Sequence, residues 1–301
     1  MTNKIYDAII IGGSYSGLAA GMALGRALRN VLIIDSGKPC NVQTPHSHNF
    51  LTQDGETPRA IAVKAREQVA KYENVEFYSG LAVGGEKTEI GFTITTESGE
   101  NFASRKLIFA TGVRDIMPEI KGAADCWGIS MIHCPYCHGY EVRNEKTGIH
   151  ANAEVAFEFS KLINNWTKEL TVFTNGQSTL LPEKASTMKA HGIDINEQEI
   201  EAFEHTGGYL NKVRFKDGSS VELKAMYVKL PFVQHSDLPE KLGCAFSEHG
   251  YIEVDKFQKT TVPGVYACGD NVTPMRSVAN AVAAGTLAGA MLNRELIDDD
   301  F

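Results

Sequence analysis

Twelve residues near the start constrain what this chain can fold into more than any others: Ile9-Ile10-Ile11-Gly12-Gly13-Ser14-Tyr15-Ser16-Gly17-Leu18-Ala19-Ala20. An apolar run, a glycine loop and an Ala- and Leu-rich segment read as strand, tight turn and helix, the context that a dinucleotide fingerprint requires. Gly12 is expected to make the turn and Gly17 to let helix and strand approach closely. Residues 14–16 are expected to offer backbone N–H groups to a pyrophosphate at the helix N-terminus. Ser14 stands where the usual pattern has its middle glycine, a small residue but a departure. Asp35 closes the next apolar run, Val31–Ile34, where an acid can bond a ribose hydroxyl.

The C-terminal part bears on which dinucleotide is bound. Gly264-Val265-Tyr266-Ala267-Cys268-Gly269-Asp270 is an apolar strand ending in Gly-Asp, followed by a long small-residue helix. Asp270 suits a ribityl hydroxyl, and the N-terminus of that helix suits a flavin carbonyl that gains negative charge on reduction. Phe109-Ala110-Thr111-Gly112 is a second strand ending in a glycine turn. In this order the three features point to FAD.

Between these features apolar runs alternate with helical patterns, which predicts an α/β fold. Ile5–Ile11 and Lys106–Ala110 read as strands, Ser16–Leu28 and Pro58–Lys71 as helices, and Phe92–Thr96 with Asn101–Ala103 as a hairpin. After Pro118 a new unit begins, with its own strand–helix–strand run of Gly148–Ala151, Glu154–Trp166 and Leu170–Phe173, and it ends near the strand Ala225–Lys229. Beyond Pro231, Tyr251–Val254 and Val265–Ala267 read as short strands and Val278–Leu296 as a long helix. The expected architecture is two Rossmann-like three-layer domains. An FAD-binding domain of residues 1–115 and 235–301 is interrupted by an NAD(P)-type domain of residues 116–234.

The 301 residues carry a formal net charge of −8 and no Lys/Arg cluster, which argues against nucleic acid and anionic membrane as partners. No apolar run is long enough to span a bilayer. The start, MTNKIYDAIIIGG, does not read as a signal peptide, so a cytoplasmic protein is expected. Of six cysteines, Cys40, Cys126, Cys244 and Cys268 are isolated and read as buried small hydrophobes.

Cys134 and Cys137 have a spacing that carries chemistry. Two thiols separated by two residues can close a small disulfide ring at a helix start, where N–H groups and a nearby cation lower a thiol pKa. Pro135 suits the first helical turn. His133 and His138 flank the pair, and either could stabilise a thiolate as imidazolium or shuttle its proton. Cys134-Pro135-Tyr136-Cys137-His138 also matches a c-type haem attachment pattern, which needs export, and the His/Cys quartet could hold zinc. Beside a flavin motif, a redox dithiol is the stronger reading.

Together these motifs resemble the low-molecular-weight thioredoxin reductase family of FAD-dependent pyridine nucleotide-disulfide oxidoreductases. The resemblance spans nearly the whole chain. It rests on the Gly12–Gly17 loop, His48-Asn49-Phe50, Ala110-Thr111-Gly112, the mid-chain cysteine pair, Gly269-Asp270 and Arg276-Ser277-Val278. The version Cys134-Pro135-Tyr136-Cys137-His138-Gly139-Tyr140-Glu141 is similar to a subgroup that includes fungal dithiol oxidases; the reductases proper usually carry Ala-Thr between the cysteines and Asp after them. The resemblance implies that Gly12, Ser14, Ser16, Gly17 and Asp35 hold the ADP half of FAD. It places Asn49, Asp270, Arg276, Ser277 and Val278 along the ribityl chain and flavin. It further implies a homodimer, with Cys137 against the flavin and Cys134 attacking a thioredoxin-like protein or a small dithiol or disulfide.

The sequence departs from that family where NADPH is expected. Ala151-Asn152-Ala153-Glu154 stands in place of a glycine turn, and alanine hinders a left-handed turn and close approach to a pyrophosphate. Glu154 opposes a phosphate, and no arginine follows Phe173 to grip a 2′-phosphate. NAD(P)H is thus an uncertain partner, and reduced ferredoxin, another flavoprotein or oxygen are rivals for the far end of the electron path. A flavin redox sensor without efficient turnover is the non-enzyme alternative.

Overall fold

Within the strand Ile5–Ile11 the stretch Ala8–Ile11 is wholly apolar because both of its faces are buried. A computed structural model describes residues 4–301, and in it this strand lies inside a seven-stranded sheet. Val31–Asp35 and Asn101–Phe109 pair with it in parallel, bringing Ile33 and Ile108 to either side of Ile10. Ala8 and Ile10 pack with Leu18, Leu24, Leu292 and Leu296, while Ile9 and Ile11 pack with Phe109, Leu238 and Ile252. A parallel strand covered on two sides has no place for polar alternation. Val75–Ser79 continues the parallel sheet, and Gly91–Thr96 and Ala82–Thr88 add antiparallel strands. These elements belong to one compact unit made of residues up to Val42, Phe50–Arg114 and Phe232–Phe301.

Two sequence expectations change here. The pieces expected at Asn101–Ala103 and Lys106–Ala110 are one strand, Asn101–Phe109, whose first half pairs with Gly91–Thr96 and whose second half pairs with Val265–Ala267. The polar Ser104-Arg105-Lys106 disguises that continuity. Lys106 is buried because Glu295 and Asp299 meet its Nζ at 2.7 Å. Tyr251–Val254 is not a strand and makes only isolated bridges, Ile252 with Phe246 and Val254 with Thr260. The Asp255 carboxylate accepts the N–H groups of Phe257 and Lys259, turning the chain before a ladder can grow.

The helix Tyr15–Arg26 is overlaid by the long helix Val278–Asp300. A Cβ at Gly285 would stand 2.1 Å from the Ser16 carbonyl oxygen, and one at Gly289 would stand 2.7 Å from that of Ala20. Two glycines one turn apart let the C-terminal helix lie on the first turns of the fingerprint helix.

The other compact unit comprises Gln43–Asn49 and Asp115–Pro231. Residues 43–49, which sequence reading keeps in the first block, are grouped here. A five-stranded parallel sheet runs in the order Asp194–Asn196, Leu170–Phe173, Thr147–His150, Ala225–Val228 and Met131–Ile132. Ile200–Thr206, Tyr209–Phe215 and Ser220–Glu222 form a separate antiparallel sheet. The helix Ala153–Ile163 buries Ala156, Ser160 and Ile163. It stops short of the expected Trp166, whose N–H bonds back to the Ile163 carbonyl at 2.8 Å in a closing tighter turn. No described helix is long and apolar enough to cross a membrane.

The close helix crossing sets a stability prediction. Gly285→Ala forces a methyl group against backbone, and overpacking of this kind costs about 1–3 kcal/mol. Thermal denaturation should show a clear fall in Tm, while Ala283→Ser on the same helix should leave it nearly unchanged.

Candidate active site

Cys134 caps a one-turn helix, Pro135–His138, that follows the short strand Met131–Ile132. Pro135 takes the first helical position, where its missing N–H is not needed. The Cys134 carbonyl accepts the N–H groups of Cys137 and His138, both at 3.2 Å, and this turn brings the two sulfurs together. The Cys137 thiol donates to the Cys134 sulfur, and the N–H groups of Cys137 and Tyr136 serve the same atom. The Cys137 donor is the largest influence. It and the backbone donors overcome burial, and they hold the Cys134 thiol down at about 7.

Gly139 ends the turn. A side chain there would meet the Pro135 carbonyl oxygen at 2.5 Å, and Trp166 Cδ1 and the Tyr227 hydroxyl at 2.9 Å. The turn therefore rests directly on Trp166 and Tyr227. Tyr136, between the two cysteines, is exposed and meets Trp166 edge-on with 5.4 Å between centroids. The Tyr227 hydroxyl is buried without a hydrogen-bond partner. Burial foremost, then the negative charges of Cys134 and Glu141, raise its pKa and keep it protonated.

Burial also pushes His138 below the ordinary imidazole range. His48 adds to that fall and Glu141 opposes it. At neutral pH the ring is uncharged, which suits it to accept a proton and not to pair with a thiolate as a cation. His48 Nε2 lies 3.6 Å from Glu141 Oε1, and its ring is edge-on to that of His138 at 6.4 Å. His133 instead lies against Trp127 at 5.7 Å. Sequence reasoning missed His48, Glu141 and Tyr227 as members of this cluster. The three-residue step from His138 to Glu141 was a local signal, whereas nothing local connects His48 or Tyr227 to the cysteines.

The nucleotide features lie in the other unit. Gly12 has φ +105, and a Cβ there would stand 2.3 Å from the Ala110 carbonyl oxygen; one at Gly17 would stand 1.8 Å from that of Gly12. Ser14 is the extended N-cap of the fingerprint helix, its side chain makes no cap bond, and no acid occupies the first turn. The first N–H groups, at Tyr15 and Ser16, are thus left for a phosphate. The Gly13 N–H donates to Asp35 Oδ1 at 3.0 Å, fixing that carboxylate beside the loop. A Cβ at Gly269 would fall 2.6 Å from Ser16 Oγ, so the second strand end reaches the same helix start. Asn271 ties the two strand ends together, donating to the Phe109 carbonyl at 2.9 Å and to Thr111 Oγ1 at 3.3 Å. Gly112 turns at φ +64 into open space. Arg276 Nε sits 3.5 Å from Asp270 Oδ2. Ser277 caps the long helix through the Asn280 N–H, and Val278 opens it with no acid in the first turn. A cradle with bare N–H groups, no room for side chains and one carboxylate at each strand end fits FAD. Asn49 has φ +59 and is grouped with the cysteine unit.

At the corresponding helix start in the cysteine unit the cap side chain bonds the first N–H, that of Ala153. Asn152 Oδ1 accepts the N–H groups of Ala153 at 2.8 Å and Thr179 at 2.9 Å, and its Nδ2 donates to the Gln177 carbonyl at 3.0 Å. Glu154 pairs with Lys184. Ala153 adopts φ +53, so the alanine does take the left-handed turn that its side chain disfavours. That conformation costs about 1 kcal/mol. Among the described residues no group of three His, Cys, Asp or Glu side chains could hold a metal ion. Of the isolated cysteines, Cys126, Cys244 and Cys268 are buried as expected; Cys40 is exposed, in the irregular stretch that follows the strand Val31–Asp35.

A flavin-type cradle in one unit and an activated dithiol in a second dinucleotide-type unit define a flavin-linked disulfide oxidoreductase. The pyridine nucleotide-disulphide oxidoreductase family matches residues 6–285, and the chain belongs to that family. It is 33% identical to the thioredoxin reductase tcpT of Claviceps purpurea over 309 residues, which cover 99% of this chain and 96% of that one. It is 30% identical to the thioredoxin reductase sirT of Leptosphaeria maculans, over 99% and 96% of the two chains. An oxidoreductase from Agrobacterium tumefaciens superposes with a TM-score of 0.92 at 35% identity, over 98% of this chain and 99% of that one. The putative thioredoxin reductase TrxB from Bacillus anthracis superposes at 0.93 with 28% identity, over 98% and 100%. The protein is an FAD-dependent enzyme of thiol–disulfide exchange.

Alkylation of the reduced protein by iodoacetamide should titrate at Cys134 with an apparent pKa of about 7. Cys137→Ala removes the main donor and should move that value towards about 8.5, the ordinary thiol. An unchanged profile in Cys137→Ala would show that the backbone N–H groups suffice.

Proposed function

We propose that Cys134 and Cys137 are the redox-active pair of this enzyme, with Cys134 meeting the substrate and Cys137 exchanging electrons with the flavin. The observation that carries this reading is the Cys134 thiol held near neutral pKa by its partner. In the oxidised pair, a substrate thiolate attacks Cys134 and the Cys134–Cys137 bond breaks, releasing Cys137 as thiolate. The substrate's second thiol loses its proton and attacks the substrate's own sulfur in the mixed disulfide, releasing Cys134. FAD, held by the cradle of the other unit, would supply the acceptor for the two electrons of the reduced pair. His138, which directly follows Cys137, would hold the proton of the attacking thiol.

The favoured direction is oxidation of a small dithiol, with oxygen as acceptor. The helix start at Asn152, whose side chain takes the Ala153 N–H and whose first turn carries Glu154 paired with Lys184, supports that direction, because a dinucleotide phosphate would have to displace those bonds. A reductase that passes electrons to a thioredoxin-like protein is the second reading, supported by the names of the fungal relatives. The family resemblance supports a homodimer, and a working dithiol suits the reducing cytoplasm.

Anaerobic mixing with dithiothreitol, NADPH and NADH, followed by flavin absorbance, tests this. Rapid bleaching by the dithiol and slow or absent bleaching by NADPH are expected. Rapid, complete bleaching by micromolar NADPH would make the protein an ordinary NADPH-dependent disulfide reductase. Cys134→Ser should show a long-wavelength thiolate–flavin absorbance band and Cys137→Ser should not; the reverse pattern exchanges the two roles. Ala153→Gly should raise stability by about 1 kcal/mol through relief of the left-handed alanine. It should leave NADPH a poor reductant, since Asn152 and Glu154 remain.

A further inference from the structure

We propose that the ring of Tyr136 is the platform on which this enzyme receives its substrate, and that it selects small dithiols carried on an aromatic body. The proposal rests on the dithiol reading above and deepens it by naming the substrate class. Tyr136 stands between the two cysteines, its N–H serves the Cys134 sulfur, and its side chain is 65% exposed. A lone exposed aromatic ring is ordinary on a protein surface. This one belongs to the residue whose backbone bonds the substrate-facing sulfur, so a thiol that reaches Cys134 arrives beside it.

The ring is fixed before any ligand arrives. It meets Trp166 edge-on with 5.4 Å between centroids, an arrangement that aromatic pairs favour. Trp166 is half-buried and anchored on both sides: its N–H donates to the Ile163 carbonyl at 2.8 Å, and its carbonyl accepts the Asn144 N–H at 2.9 Å. The turn sits tightly on the same indole, since a Cβ at Gly139 would lie 2.9 Å from Trp166 Cδ1. Folding gains little from a ring left mostly in water, because the hydrophobic contribution follows the area removed from it. A ring already held in one place does, however, lose little freedom when a ligand stacks on it.

The size of the apolar surface favours a small ligand over a protein. Tyr140, four residues on, is the next exposed aromatic side chain. The Arg143 guanidinium already lies over its ring at 3.9 Å and donates to the Tyr140 carbonyl at 2.6 Å. Glu141, Arg143 and Glu145 are exposed, so charged side chains follow directly on these rings. Two aromatic rings offer roughly 150–250 Å² each. A stable protein interface takes roughly 800 Å² from each partner. One flat apolar body fits the smaller area, and an aromatic one adds a ring–ring attraction that an aliphatic chain lacks. The exchange at Cys134 then runs as described above; the ring changes only how the dithiol is held.

The test is stopped-flow flavin bleaching of the FAD-loaded protein under argon by benzene-1,2-dimethanethiol and by butane-1,4-dithiol. These dithiols separate their sulfurs by the same number of carbons and differ in the ring. Each variant's rate constant is divided by that of wild type, so the intrinsic reactivities of the two dithiols cancel. In Tyr136→Ala the aromatic dithiol should lose about two- to tenfold more than the aliphatic one, the range set by a single aromatic pair. Tyr136→Phe keeps the ring and should behave as wild type. Tyr209→Ala, at an exposed tyrosine on the antiparallel sheet of the same unit, should change neither rate. Iodoacetamide alkylation of Cys134 should titrate alike in all four proteins, since alanine keeps the N–H that serves the sulfur. Equal losses for both dithiols, no loss, a Tyr136→Phe as poor as Tyr136→Ala, or a shifted alkylation profile would overturn the platform and leave the dithiol reading standing. So would bleaching by reduced thioredoxin that alone slows in Tyr136→Ala, which would assign the ring to a protein partner. A wild-type flavin that neither dithiol bleaches would overturn the dithiol reading and the platform with it.

Discussion

Keeping a sulfur ionised at neutral pH in a half-buried turn requires hydrogen-bond donors at that atom, because burial alone drives a thiol the other way. Cys134 obtains them from a stretch only four residues long: the Cys137 thiol and the N–H groups of Cys137 and Tyr136. A one-turn helix has almost no dipole and cannot form alone, so its shape must come from what lies beneath. Gly139 settles directly onto Trp166 and Tyr227, where any side chain would collide. The strand Ala225–Val228, buried along its whole length, fixes Tyr227 in turn. The reactivity of the sulfur thus depends on the parallel sheet of its unit through one glycine contact.

The two units use the same strand–turn–helix element in opposite ways. At Ser14 the cap side chain makes no bond to the helix and the first turn has no acid, so the N–H groups remain for an anion. At Asn152 the cap side chain takes the Ala153 N–H and ties down Thr179, while Glu154 enters the first turn. An anion arriving there would have to displace bonds already made, the Glu154–Lys184 ion pair among them. Retaining the element's fold asks only for apolar strands and an amphipathic helix. Its use as a phosphate site depends on a few residues at the turn, so one can be lost without the other.

Signals that lie close together in the chain were legible in the sequence. The strand Ile5–Ile11, the glycine loop, Asp35, the exact span Leu170–Phe173 and the turn at Cys134 are each set by residues within a short window. What was not legible depends on distant partners. Ser104-Arg105-Lys106 looks like a break in a strand until Glu295 and Asp299 arrive from the C-terminal helix to neutralise Lys106. Tyr251–Val254 has strand-like alternation but no neighbour with which to form a ladder. His48 sits among motifs of the nucleotide unit in sequence, and only the fold takes it to Glu141 and His138. Ala153 shows the opposite error: its side chain disfavours a left-handed turn, yet the residue adopts it, with its N–H bonded to the Asn152 side chain.

Selectivity among the six cysteines follows from the same competition between burial and donors. Burial raises the thiols of Cys126 and Cys244, and raises Cys268, fully enclosed, to about 12. Cys134 is instead lowered to about 7. At neutral pH more of Cys134 is thiolate than of an ordinary thiol, and less of Cys268. A thiol whose pKa lies near ambient pH is also the fastest attacking group, since a more acidic one gains ionised fraction at the cost of nucleophilicity. The balance of donors and burial thus separates Cys134, whose thiol is lowered, from the enclosed cysteines, whose thiols are raised.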